Sequence, residues 1–106
     1  MFHIDDRPEF DCTVPIALEG VERQSITVRY RALANSEIEL FDLRTAEGTT
    51  DFLHRVVARV DDVVDDDGKP VPFTPALLDR LLDLGWVRQP MVRSYFAALA
   101  GARLGN

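Results

Sequence analysis

Between residues 10 and 18 every second residue is apolar: Phe10, Cys12, Val14, Ile16 and Leu18 alternate with Asp11, Thr13, Pro15 and Ala17. A period of two puts one set on one side of a pleated backbone, the pattern of a half-buried strand. Pro15 removes a backbone donor on the opposite side, which places this strand at a sheet edge or at a bulge. After a turn around Gly20, the alternation resumes as Ile26, Val28 and Tyr30 against Thr27, Arg29 and Arg31. The two runs read as a hairpin. Its apolar side needs a cover, and the remaining sequence offers only helices to supply one.

The period then changes. Ser36 followed by Glu39 fits a capping box, and Ile38, Leu40 and Phe41 give a short apolar stripe running to about Thr45. Gly48, Thr49 and Thr50 interrupt it. A second helix is expected from Thr49 or Thr50, with Asp51 near its positive end and Phe52, Leu53, Val56, Val57 and Val60 at helical spacing. Thr74 with Pro75 marks the start of a third, whose buried stripe is Leu77, Leu78, Leu81 and Leu82 and whose end is Gly85. A fourth is expected from about Pro90, with Val92, Tyr95, Phe96 and Leu99 facing inward. Trp86 reads as a core anchor at the helix junction. The expected fold is α+β: an N-terminal β-hairpin packed on about four helices, one domain over residues 1–106, with residues 1–8 a flexible N-terminal segment.

Residues 61–73 are acidic and turn-forming. Asp67-Gly68 followed by Lys69-Pro70, flanked by Val63, Val64, Val71 and Phe73, suggests a small second hairpin near residues 62–73 or a tight turn between helices. A calcium loop fits poorly. With Gly68 at the sixth position, Asp65 and Asp67 would be ligands, but Val63 would hold the first position and Thr74 the bidentate twelfth. A solvated acidic turn is the better reading.

Charge narrows the partners. Twelve basic against 18 acidic residues give a formal net charge of −6, a field that repels nucleic-acid phosphates. With one cysteine there is no internal disulfide, which fits a reducing cytoplasm. The first ten residues carry Asp5, Asp6 and Glu9 in place of the basic and apolar stretches of an export signal. No segment is long and apolar enough to suggest a membrane span.

Chemistry-bearing patterns are sparse. Cys12 falls on the apolar side of its strand, where a thiol is usually an inert core group, and neither His3 nor His54 has a partner at recognisable spacing. Glu37 and Glu39 point to different sides of a helix and are explained by its positive end. The six glycines are scattered singly, so no phosphate loop is present. Arg23, Arg29 and Arg31 are expected to pair with carboxylates. By elimination the chain is expected to be no enzyme and to need neither cofactor nor metal.

What remains is surface. The hairpin has an open edge, which must be blunted, covered or used. The last helix carries more apolar and small residues than one buried stripe requires, so Met91, Tyr95, Phe96 and Leu99 are candidate partner-binding residues.

The order of these features resembles the small tail assembly chaperones of long-tailed bacteriophages. The likeness rests on the hairpin ending at Tyr30-Arg31-Ala32-Leu33, the acidic capped helix, and Thr50-Asp51-Phe52-Leu53 leading to Val56-Val57. It continues through the run from Asp67 to Pro75, the paired leucines 77/78 and 81/82, and Tyr95-Phe96-Ala97-Ala98-Leu99 with Gly101-Ala102-Arg103. The resemblance implies a chaperone that binds and solubilises the tape-measure protein and helps recruit tail-tube subunits. It also implies a homo-oligomer acting in the host bacterial cytoplasm and absent from the mature virion, without nucleic acid or membrane as partner. In several relatives a frameshift adds a C-terminal domain, and ending at Gly105-Asn106 this chain looks like the short form. The alternative is a small phage or bacterial connector or regulatory module that binds a folded protein.

Overall fold

The computed structural model describes residues 1–101. Strands β1 (Glu9–Ile16) and β2 (Gln24–Arg31) form the expected hairpin, paired so that Phe10 faces Tyr30 and Cys12 faces Val28. A third strand, β3 (Val57–Asp61), completes an antiparallel sheet of order β1-β2-β3. Four helices follow the chain: α1 (Asn35–Ile38) and α2 (Ala46–Val56) before β3, then α3 (Pro75–Leu82) and α4 (Gly85–Leu99) after it. The architecture is α+β, as the sequence pattern indicates.

The sheet has one dry and one wet side. Cys12, Val14, Ile26, Val28, Tyr30, Val57 and Val60 are buried against Phe52, Leu53 and Val56 of α2, Leu78 and Leu82 of α3, and Val87, Met91 and Tyr95 of α4. The other face is polar: Arg29 bridges Glu9 at 2.8 Å and Asp11 at 3.2 Å, and Arg59 meets Asp61 at 2.8 Å. Arg31 reaches Glu9 at 3.9 Å and donates to the Val57 carbonyl, so two of the three hairpin arginines do pair with acids of their own chain.

Pro15 sits where it costs nothing. The Ala32 N–H donates to the Pro8 carbonyl at 3.0 Å, which sets the phase of the ladder. In an antiparallel pair the alternate residues Glu9, Asp11, Thr13 and Pro15 then turn their backbone groups away from β2. Pro15 therefore removes an outward donor, and with Glu9 and Asp11 it blunts the open edge.

β3 was expected as the tail of a helix. Val57 and Val60 are three apart yet both buried, because the ladder slips between Arg29 and Tyr30: Arg29 faces Arg59, Tyr30 faces Val57, and Ala58 is the extra residue. This bulge turns a strand's period of two into an apparent helical three.

Other boundaries also move. α1 is a single turn, and its first amide, Ala34 N–H, is satisfied at 3.2 Å by Glu37 instead of by a Ser36–Glu39 box. α2 starts three residues before the expected point, capped by the Thr45 hydroxyl, which accepts from Gly48 N–H at 2.9 Å. α3 begins as expected, with the Thr74 hydroxyl accepting from Leu77 N–H at 3.1 Å and Pro75 in the first turn. Gly85 opens α4 instead of closing α3, and Pro90 lies inside α4, buried. Its ring leaves the Trp86 carbonyl without the usual helical donor. The tail of the expected fourth helix, residues 102–104, lies outside the described residues.

Candidate protein-docking groove

The four residues proposed from sequence as partner contacts are not a surface. Met91 and Tyr95 are fully buried, Phe96 is half-buried, and only Leu99 is substantially exposed. The correction has a geometric cause. α4 lies across the dry face of the sheet, so positions 87, 90, 91, 94 and 95 form its core stripe. Tyr95 there contacts Phe10, Tyr30, Phe52 and Phe96 at ring-centroid distances of 5.2–5.7 Å, and Phe96 stacks on Phe52.

Cys12 is buried on the dry side, where burial and then the Asp11 charge push its thiol pKa up, away from the reactive thiolate. The acidic turn is a small hairpin of its own. Val71 N–H donates to the Val63 carbonyl at 2.8 Å, and Asp65 N–H donates to the Lys69 carbonyl at 2.9 Å. The Asp65 carboxylate accepts from the backbone of Asp67 and Lys69, and Gly68 takes a positive φ of 77° at the tip. These bonds use Asp65 to shape the turn. Among the described residues, no three His, Cys, Asp or Glu are grouped to hold a metal ion.

Among the described residues, concavities of two kinds bear on function. One is polar, a cleft of about 270 Å³ between α2 and α3, lined by Glu47, Thr50, Asp51, His54, Asp79, Asp83 and Arg88. His54 Nε2 lies 3.1 Å from Asp79 Oδ1, but the two side chains are 42% and 65% exposed. Such a pair stays hydrated, whereas catalysis draws its electrostatic advantage from water-excluded, preorganised groups. Arg88 holds the helix junction beside it by donating to the Leu82 carbonyl at 3.0 Å.

The other is apolar. At the far end of the hairpin, Ile16 and Ile26 meet Val63 and Val64 of the turn, Leu81 of α3, and Leu84, Trp86 and Val87 at the start of α4, around a space of about 390 Å³. A second space of about 340 Å³ adjoins it, sharing Val63, Val64, Leu81 and Leu84 and lined also by Val71, Leu77 and Arg80. The local chain geometry builds this groove. Asp62, at a positive φ of 65° and bonded by the Thr27 hydroxyl, turns the chain out of β3. Two consecutive valines in the turn that follows cannot both face inward, and Val64 is 58% exposed. Trp86 stands at the rim 46% exposed, contrary to its expected role as a core anchor, because position 86 falls off the buried stripe of α4.

Sequence reasoning missed this groove. The available signal was Val63-Val64 inside an acidic run, an apolar pair with no period to bury it. No family model matches the chain, and neither a curated protein nor a solved structure matches it. Among the described residues no helix is long and apolar enough to cross a membrane.

Proposed function

We propose that this chain is a protein-binding module that shields an apolar helical client, acting as a tail assembly chaperone of a long-tailed bacteriophage. In this reading it solubilises the tape-measure protein and helps bring tail-tube subunits to it, in the host cytoplasm and as one of several copies. The observation that carries the reading is the open apolar groove rimmed by Val64 and Trp86. It opens at the border of the core, where Ile26 and Val87 form its floor, and offers area to another chain.

The magnitudes suit repeated, weak contact. A large apolar side chain inserted by a partner is worth about 1.5–3 kcal/mol, while association costs at least about 4 kcal/mol in lost freedom. Two anchors per groove therefore bind weakly, and many copies along one extended client supply the rest. A net charge of −6 on each copy keeps such a coat dispersed.

Co-expression with a candidate tape-measure protein tests the reading. The insoluble client should become soluble and co-purify with this chain, and Val64→Asp should abolish the effect. A client that stays insoluble beside abundant folded chaperone overturns the assignment.

A further inference from the structure

We infer that the groove is built for a basic amphipathic helix, an apolar face carrying two anchors flanked by lysine or arginine. This deepens the docking reading above and rests on it.

Charge is the first argument. The two adjoining spaces are lined by Asp62, Asp65 and Asp83 against a single cation, Arg80. Among the described residues, none of the three carboxylates has a cationic side chain within ion-pair distance, while Glu9, Asp11, Glu37, Asp42, Asp61 and Asp79 all do. Asp66 and Asp67 add exposed negative charge on the adjoining turn. A partner bringing cations meets negative charge that no cation among the described residues balances, and one bringing carboxylates or phosphates meets repulsion.

Backbone chemistry is the second. The open ladder of β1 faces elsewhere with Pro15 and two acids on it, and the backbone edge that borders the groove is the short stretch Gln24–Ile26, where β2 runs past its last pair with β3, Thr27 with Asp61. An extended segment could pair over that short stretch at most and would leave the rest of its amides and carbonyls unbonded beside apolar side chains. A helix satisfies its backbone internally and needs only to lay down its apolar face. Two adjoining spaces that share Val63, Val64, Leu81 and Leu84 give such a face two places to insert an anchor.

Trp86 provides the readout, since it is the only tryptophan and sits at the rim. Two synthetic helical peptides of about 20 residues would carry the same leucine face, one flanked by lysines and one by glutamates. The lysine peptide should shift Trp86 emission to shorter wavelength in a saturable manner and bind at least about tenfold more tightly than the glutamate peptide. The preference should shrink with added salt. Val64→Asp, at an exposed turn position, should abolish the response with an unchanged thermal melt. The double variant Asp62→Asn, Asp83→Asn should keep binding and reduce the preference severalfold, with Asp65, Asp66 and Asp67 retaining the remainder.

Equal binding of the two peptides, or a preference undiminished in the double variant, overturns the basic-partner inference and leaves the groove as a docking site. No response to either peptide, with the client still solubilised in co-expression, also overturns it while leaving the chaperone reading in place. Lysine-selective binding without client solubilisation supports the inference and removes the chaperone assignment alone.

Discussion

The Tyr30 hydroxyl, on the central strand, donates to the Met91 carbonyl in the middle of α4 at 2.9 Å, tying the sheet to the helix that crosses it. Its neighbour Tyr95 returns the connection from the helix side. The Tyr95 hydroxyl donates to the Arg31 carbonyl at 3.1 Å and accepts from Leu33 N–H at 3.0 Å, just where the chain leaves β2. The two rings meet edge to face at 5.3 Å.

These bonds are unequal. Without its hydroxyl, Tyr95→Phe strands a buried Leu33 N–H, a loss of about 1–3 kcal/mol. Tyr30→Phe removes a donor from a carbonyl inside a helix, which retains its helical setting, so the loss should be nearer the ordinary net value of about 0.5–1.5 kcal/mol. Urea unfolding at neutral pH should rank Tyr95→Phe as the more destabilised, and the reverse ranking would reject this division of roles.

The hairpin, the Thr74-Pro75 helix start and the core side of Cys12 were legible because each depends on neighbours in sequence: strict alternation, a cap with proline behind it. β3 was not, because its one extra residue, Ala58, is dictated by pairing with Arg29 and Tyr30, 29 and 28 positions away. Pro90 misled for a related reason. A proline usually starts or stops a helix, but here its buried contact with the core outweighs the lost donor, and only tertiary structure reveals that. The groove was invisible because it joins residues 16, 26, 63, 64, 81, 84 and 86 from five segments. The expected contact face on α4 failed because counting apolar residues does not say which of them another element already covers.

Burial along α4 makes that last point measurable. Met91→Ala should cost about 2–5 kcal/mol, as a fully buried side chain leaves a cavity that packed neighbours only partly fill. Leu99→Ala, at a 42% exposed position, should cost less than about 1 kcal/mol. Comparable losses in thermal or urea unfolding would place Leu99 in a contact that the isolated chain lacks.

Gly48 lies within α2, where alanine would ordinarily help by about 1 kcal/mol. Here a Cβ would fall 1.8 Å from the Asp42 carbonyl oxygen and 2.9 Å from the Thr45 hydroxyl, both part of the turn that starts the helix. Since the nearer obstacle is backbone, the turn itself must shift. Gly48→Ala should destabilise by about 1–3 kcal/mol despite its better propensity. A stabilised variant would mean that the turn before α2 moves freely.

Alkaline pH should expose the buried phenols and thiol together. Burial raises the pKa of Tyr30 far above the ordinary 10.0, with the Cys12 charge adding to it, and burial likewise raises Tyr95. Cys12 is raised from 9.0 by burial and Asp11. In each case the folded state holds its proton after the unfolded chain has released it. The stabilisation is thus fully present below the unfolded values and is lost as pH climbs through the folded ones. Unfolding free energy should therefore hold roughly level on the thiol and phenol account up to about pH 9 and fall beyond it, each group contributing at most about 1.4 kcal/mol per pH unit. Tyr30→Phe lowers stability at pH 7 but should flatten the decline above about pH 10. Urea titrations of both proteins across that range decide the matter: parallel slopes would show that the Tyr30 phenol ionises as easily folded as unfolded.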